Sequence, residues 1–386
     1  MRIRGKDYLS GNLHDYIVEN GKITLIQDAN TSSTDIGGIN CWVAPGLIDI
    51  QVNGYKGLDF CGEELDEGDV HGICQRMTET GVTAFCPTIT TNPYEIIVKN
   101  LKVISTAVKN SKPGFAKIIG IHLEGPYISA EMGPRGAHPL AHIRRPDWDE
   151  FLAFQDAADG LIKLVTLAPE LEGALDFISK LNSVGVRVAI GHHQASLGII
   201  KKAIEAGAVL STHLGNGAHS LLPRHPNYIW DQIAEDKLSS SLIVDGHHIP
   251  SSFIKVVYRV KGVSRIILIS DVIAAAGLAE GRHKFMGLSV DVTADGSIKL
   301  SDTQYLAGSS VRLCDSLAIF IRCTNATFSE AIQMVTTNPA FLLGIERDHG
   351  VLETGRDADI SIFSDKPGYN LLYTIKRGEI SYSHQI

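Results

Sequence analysis

The chain lacks several features that would assign it to common classes of protein. No stretch of its 386 residues approaches about 18 consecutive apolar residues, so we expect no transmembrane helix and no membrane partner. No run of basic residues occurs and the net charge is −8, which argues against a nucleic-acid partner. The N-terminal segment MRIRGKDYLSGN lacks the apolar core of a signal peptide. The six cysteines form no C-x-x-C pair, which is typical of reduced thiols in a cytoplasmic protein.

Several catalytic motifs are also missing. The sequence has no G-x-x-x-x-G-K-[ST] loop, no G-x-S-x-G elbow and no H-E-x-x-H helix motif. These absences argue against a P-loop nucleotide hydrolase, a serine hydrolase and a zincin protease. The chain is 44% hydrophobic and is long enough for one large domain and a smaller one.

The two ends of the chain share a β-strand pattern. Segments such as YIVENGKITLIQ and LLYTIKRGEISYS alternate apolar and polar residues between turn signals. Because one small sheet built from both termini would accommodate both segments, the sequence predicts one small β-domain from residues 1–45 and 350–386. Residues 46–349 then form the second domain.

The middle of the chain alternates apolar, β-branched runs with amphipathic stretches such as 174–185 and 197–207. Strand followed by helix, repeated eight times, is the pattern of a (β/α)8 TIM barrel, although an open doubly wound sheet has a similar alternation. The eight runs cover residues 46–52, 82–88, 117–125, 162–170, 186–193, 208–215, 241–248 and 265–271.

Polar side chains that can bind metals follow the apolar runs at their carboxyl ends. In a parallel barrel these ends lie on one face, where active sites form. The pattern therefore predicts a metal site at this face. The residues concerned are Gln51, Asn53, His122, Glu124, His192, His193, His213, Asp245, His247, His248 and Asp271.

Glu124, His192 and His213 supply two imidazoles and one carboxylate from three different strands. This set is typical of a catalytic zinc site with an open position for water, and ferrous iron also suits it. Asp271 follows the last run and is the natural proton acceptor and donor, although an aspartate there is also a common helix N-cap.

Ten segments, in order along the chain, together resemble one enzyme family, the N-acetylglucosamine-6-phosphate deacetylases of the amidohydrolase superfamily. The resemblance implies a (β/α)8 barrel with a small β-sandwich from both termini, a homodimer and an amino-sugar phosphate as the substrate. The segments are PGLIDIQVNG, HLEGPYIS, RGAHP, VTLAPE, GHHQAS, STHLGN, VDGHH, ISD, LAGSS and GVLETGRDADISIF.

The resemblance also implies roles for particular residues. Gln51 and Asn53 stand where related hydrolases have H-x-H, which leaves one divalent metal ion on Glu124, His192 and His213. His192 is preferred over His193 because the family's ligand directly follows a glycine. The catalytic pair is then Asp271 and His138, and the substrate contacts are Asn216, Gly217, His248, Ser309 and, from a neighbouring subunit, Arg224.

The chain departs from the family near the expected phosphate contacts. Gly215 stands where an aromatic is common, Gly217-Ala218 replace Ala-Met, and RHPNYIW replaces a segment beginning R-E-P-G. The alternatives are therefore deacetylation of another N-acetyl amino sugar such as N-acetylgalactosamine 6-phosphate, a binuclear cyclic amidohydrolase or aminoacylase, and a non-catalytic scaffold.

Overall fold

The computed structural model describes residues 1–285 and 288–384. Within them, the strands up to the barrel's last are β1 (Arg2–Asp7), β2 (Leu13–Glu19), β3 (Lys22–Asp28), β4 (Ile36–Pro45), β5 (Leu47–Val52), β6 (Gly54–Tyr55), β7 (Leu58–Asp59), β8 (Val82–Thr90), β9 (Lys117–Ile118), β10 (Ile121–Glu124), β11 (Ile162–Leu167), β12 (Arg187–Ile190), β13 (Ala208–Ser211), β14 (Ser239–Ile243) and β15 (Ile266–Ile269). The later strands are β16 (Gly281–Phe285), β17 (Leu288–Val292), β18 (Ile298–Leu300), β19 (Ile360–Ser364), β20 (Leu371–Lys376) and β21 (Glu379–Ser383).

Helices follow the barrel strands along the chain. They are α1 (Glu67–Met77), α2 (Tyr94–Lys109), α3 (Trp148–Ala157), α4 (Ala174–Ser183), α5 (Leu197–Ala206), α6 (Tyr228–Ala234), α7 (Ser251–Lys261), α8 (Leu313–Thr324), α9 (Phe328–Gln333) and α10 (Thr337–Leu343). In the described part of the chain, no helix is both long enough and apolar enough to cross a membrane.

The two ends of the chain meet in one seven-stranded sheet of order β21-β20-β19-β4-β1-β2-β3. β1 and β4 are parallel, whereas the other neighbours are antiparallel. This sheet confirms the small β-domain built from both termini. The exact boundaries at 45/46 and 349/350 stay a prediction.

Eight parallel strands, β5, β8 and β10 to β15, form the central barrel in chain order. Each lies within or overlaps one of the eight predicted runs. The first and last strands meet through a parallel bridge between Val52 and Val272, and the Asp271 N–H donates to the Gln51 carbonyl (3.1 Å). The (β/α)8 prediction is therefore confirmed, and the open-sheet alternative is wrong.

Amphipathic helices cover the outside of the barrel. In α4, Ala174, Phe177, Ile178 and Leu181 are buried, which is the spacing of a single apolar face. Inside the barrel, a second apolar cluster that includes Ile50 and Leu164 extends to Ala340 and Leu342 of α10. The interior is therefore a packed core, and space for chemistry is left at the strand ends.

An additional three-stranded antiparallel sheet, β16-β17-β18, lies between β15 and α8. The sequence analysis predicted no element there. Asp295-Gly296, in the loop between β17 and β18, is a hairpin signal of the usual kind, with Gly296 at φ 82°. The signal lies outside the eight runs from which the barrel was predicted.

Candidate active site

Glu124, His192 and His213 converge at the carboxyl ends of β10, β12 and β13. The Glu124 Oε1 atom lies 3.1 Å from His192 Nε2 and 2.9 Å from His213 Nε2, and the two Nε2 atoms are 3.0 Å apart. All three side chains are buried. Because one ligand atom of each lies within 4.8 Å of the others, the three can hold a metal ion together.

The surroundings of these side chains also suit a metal. The His192 Nδ1 atom lies 2.8 Å from the Pro134 carbonyl oxygen, so that carbonyl accepts the Nδ1 proton and leaves Nε2 free to bind. Two imidazoles and a carboxylate are a usual ligand set for zinc in catalytic sites. The structure thus places His192, rather than its neighbour His193, beside Glu124.

Three of the predicted site residues have an unusual backbone conformation. His192, His213 and Asp271 have φ values of 51°, 31° and 50°, in the left-handed region that side chains other than glycine rarely adopt. Each comes two residues after the end of its strand. Such conformations persist only where the surrounding structure enforces them, and they cluster at functional sites.

The Asp271 carboxylate is held by the two amides of the Gln-x-Asn segment. Its Oδ1 atom accepts from Asn53 Nδ2 at 2.7 Å and from Gln51 Nε2 at 3.1 Å. Gln51 Nε2 also donates to Glu124 Oε1 at 3.1 Å. Gln51 therefore connects the predicted proton-transfer group to the predicted ligand Glu124, and Asn53 holds the same Asp271 oxygen.

The surroundings shift the pKa values of the two carboxylates in opposite directions. Burial disfavours ionisation of Glu124, but hydrogen bonds from His192 and His213 outweigh it and hold the pKa of Glu124 well below its usual value. For Asp271, burial and the nearby negative charge of Glu124 raise the pKa to about 6. A carboxyl with a pKa near neutrality can both accept and donate a proton under ordinary conditions.

His138 lies next to the same cluster. Its ring centroid is 4.4 Å from that of His192, and its Nδ1 atom is 2.8 Å from the Thr91 hydroxyl. Burial, reinforced by the neighbouring His192, lowers the pKa of His138 to about 3, so the ring is neutral at ordinary pH.

The predicted substrate contacts after β13 lie in a tight loop. The Asn216 N–H and side-chain amide both donate to the His213 carbonyl, at 2.9 and 3.2 Å. Gly217 has a φ of 56°, and a Cβ added there would lie 2.7 Å from His192 Nδ1. Only glycine fits this position without a shift, because the loop backbone packs directly on the His192 ring.

His248 lies in the loop that follows β14, and Ser309 lies in the loop that precedes α8. The His248 Nδ1 atom is 2.6 Å from Asp245 Oδ2, and His248 lies close enough to Asp271 to influence the pKa of that carboxyl. The Ser309 N–H donates to the Asp271 carbonyl at 3.0 Å. Both residues are thus near the proposed acid, whereas Arg224 is exposed, and among the described residues no contact joins it to this cluster.

Sequence reasoning missed two residues of the site's surroundings. Thr91, which bonds to His138, follows β8 without a recognisable motif. Asp49 is fully buried in β5, and burial raises its pKa to about 7 although the Gln51 and Ser270 N–H groups donate to it. The sequence could have indicated Asp49, since it is the charged residue inside the apolar run 46–52.

His213→Ala is predicted to lose the metal, because it removes one of three ligands. We expect metal content to fall from about one equivalent per chain to a small fraction of that, measured by mass spectrometry on purified protein. His247→Ala, which alters an exposed histidine at the same face, is the control and should keep its metal. Equal metal content in the two variants would exclude His213 as a ligand.

Comparison with known proteins identifies relatives over most of the chain. The chain is 36% identical to the N-acetylglucosamine-6-phosphate deacetylase of Bos taurus over 343 residues, which cover 86% of this chain and 81% of the bovine protein. It is 33% identical to the enzyme of the same name from Bacillus subtilis (strain 168) over 341 residues, covering 88% and 84%.

Solved structures agree with these relatives. The crystal structure of N-acetylglucosamine-6-phosphate deacetylase from Thermotoga maritima superposes with a TM-score of 0.85 at 28% identity, over 99% of each chain. The family model for the amidohydrolase family matches residues 42–381. By both the family match and these relatives, the chain belongs to the amidohydrolase family and is a hydrolytic enzyme.

Proposed function

We propose that this enzyme hydrolyses the acetamide of N-acetylglucosamine 6-phosphate to glucosamine 6-phosphate and acetate, in amino-sugar catabolism. The observation that carries the proposal is the convergence of Glu124, His192 and His213 with an aspartate of raised pKa, Asp271. Relatives named for this activity, at 31–36% identity over most of the chain, support the same substrate class.

Glu124, His192 and His213 would hold one divalent metal ion, zinc or ferrous iron. The chemistry that such an ion supplies is polarisation of the acetamide carbonyl and activation of water. The amides of Gln51 and Asn53 are directed at Asp271 and Glu124, so they take no part in a second metal site in this arrangement. A binuclear amidohydrolase is accordingly the weaker alternative.

Asp271 would move the proton of the reaction. It accepts a proton from the attacking water and returns it to the sugar nitrogen as the C–N bond breaks, which yields acetate and a free amine. Gln51 and Asn53 hold the Asp271 Oδ1 atom, so Oδ2 would be the oxygen that exchanges the proton.

His138 would stabilise the oxyanion that forms on the acetamide carbonyl. If the Thr91 hydroxyl donates to His138 Nδ1, the ring proton is on Nε2, which can then donate to this oxygen. The neutral state of His138 is consistent with a hydrogen-bond donor that does not release its proton.

The phosphate would be bound by the Gly217 N–H, by the Asn216 side-chain N–H that His213 does not accept, by His248 and, in a homodimer, by the partner subunit's Arg224. The planar guanidinium of arginine suits two phosphate oxygens. Arg224 is exposed on its own subunit, which is compatible with a contact across a dimer interface. A cytoplasmic location suits the six free thiols.

The central experiment is an acetate-release assay on N-acetylglucosamine 6-phosphate, its 4-epimer and both unphosphorylated sugars, with metal measured on the same sample. We expect the highest kcat/KM for N-acetylglucosamine 6-phosphate with about one equivalent of metal. A preference for the 4-epimer would identify N-acetylgalactosamine 6-phosphate as the substrate. Two equivalents of metal per chain would favour the binuclear alternative. A protein that binds no metal and releases no acetate would support the non-catalytic scaffold alternative.

Asp271→Asn is predicted to lower kcat by about 100-fold or more, because it removes the proton carrier while Oδ1 can still accept from Gln51 and Asn53. Metal content should stay at the wild-type level. Steady-state kinetics and metal analysis on the same preparation test this. Retention of near wild-type kcat would show that another group carries the proton.

Arg224→Ala is predicted to raise KM for the phosphorylated substrate about tenfold with little change in kcat, because it removes a ground-state contact. The KM for unphosphorylated N-acetylglucosamine should not change. Arg259→Ala, an exposed arginine on α7, is the matched control. If the effect falls on kcat alone, Arg224 is not a phosphate contact.

A further inference from the structure

Beside His192 and His193 is a small cavity of about 10 Å³, enough for about one water molecule, which we call the rear cavity. Its walls are the ends of β12 and β13, the loop of residues 214–218 and helix α6. The residues that matter here are His193, Asn216, Gly217, Tyr228 and Gln232. The loop that carries two of the proposed phosphate contacts therefore forms part of the wall of the rear cavity.

His193 presents an unpaired donor to the rear cavity. Its Nδ1 atom accepts the Ala195 N–H at 3.0 Å, so the proton of the neutral ring is on Nε2. His193 is 3% exposed, and Nε2 makes no hydrogen bond to any described residue. Burial lowers the pKa of His193 to about 4, so the ring is neutral, although the nearby Gln232 side chain acts in the opposite direction. The Gln232 amide nitrogen donates to the Tyr228 carbonyl at 3.1 Å, and no described group meets the criteria of a hydrogen bond to His193 Nε2.

A buried polar atom with no partner is costly, and cavities with several polar walls commonly hold ordered water. The rear cavity offers both an unpaired donor and the backbone of the 214–218 loop. Gly215 and Gly217 give this loop φ values of 97° and 56°, so its peptide groups can take orientations that other residues would not allow.

We propose that His193 is a positioning residue, which sets the orientation of the Gly217 amide and of the loop that carries the Asn216 side chain through a water molecule in the rear cavity. The water accepts from His193 Nε2 and donates to the loop backbone. The amides on the opposite side of the loop are then directed at the phosphate of the substrate. This inference rests on the proposed function, because it needs a phosphate at that loop.

Two substitutions of similar size separate this role from general packing. His193→Asn retains an acceptor near Nδ1 for the Ala195 N–H but does not reach into the rear cavity. His193→Gln places an amide N–H close to the position of Nε2. We would measure KM and kcat for phosphorylated and unphosphorylated N-acetylglucosamine, inhibition by inorganic phosphate, and metal content.

We expect His193→Asn to raise both KM for the phosphorylated substrate and the inhibition constant of inorganic phosphate about tenfold, with kcat and metal content little changed. His193→Gln should restore both constants towards the wild-type values. A crystal structure of the wild-type protein should show the water between His193 and the loop.

Unchanged phosphate inhibition in His193→Asn would overturn the inference, as would equal losses in the Asn and Gln variants. A rise in KM of the same size for the unphosphorylated sugar would also contradict it. If the wild-type protein releases no acetate, the proposed function fails, yet phosphate binding measured by calorimetry still tests His193. Absence of phosphate binding to the wild-type protein would overturn the role of His193.

Discussion

The site depends on one buried carboxylate oxygen. Glu124 Oε1 lies within hydrogen-bonding distance of Gln51 Nε2, His192 Nε2 and His213 Nε2, which come from three other strand ends. A buried negative charge is tolerated only where such partners compensate for the loss of water. The backbone at His192 and His213 adopts a strained, left-handed conformation, and this conformation directs both rings at this one atom.

The barrel and the main site residues were predictable because they depend on patterns that recur along the chain. Eight apolar runs indicated the barrel strands, and the polar residues after them indicated that the site lies at the carboxyl ends of these strands. The choice of His192 over His193 needed the resemblance, since the two are adjacent and chemically identical. The structure separates them by surroundings, with His192 beside Glu124 and His193 facing the rear cavity.

Other features could not be predicted from the sequence, for physical reasons. The function of Gln51 and Asn53 depends on which atoms lie opposite them, and Asp271 is more than 200 residues away in the chain. The left-handed conformations at three site residues arise from tertiary packing, because none of these residues is a glycine. The position of Arg224 relative to a substrate depends on a second subunit, which one chain does not define.

The closure of the barrel separates two parts of the site. The three metal-binding side chains follow β10, β12 and β13, on one uninterrupted arc of the ring. Gln51, Asn53 and Asp271 instead flank the junction between β5 and β15, where the ring is joined by the Val52–Val272 bridge. Under the proposed roles, all three ligands come from the arc, whereas the hydrogen bonds that hold the acid form only where the ring is joined. Gln51 links the two parts, because its amide donates to both Asp271 and Glu124. Closure of the ring would therefore act directly on the acid and only through Gln51 on the metal ligands.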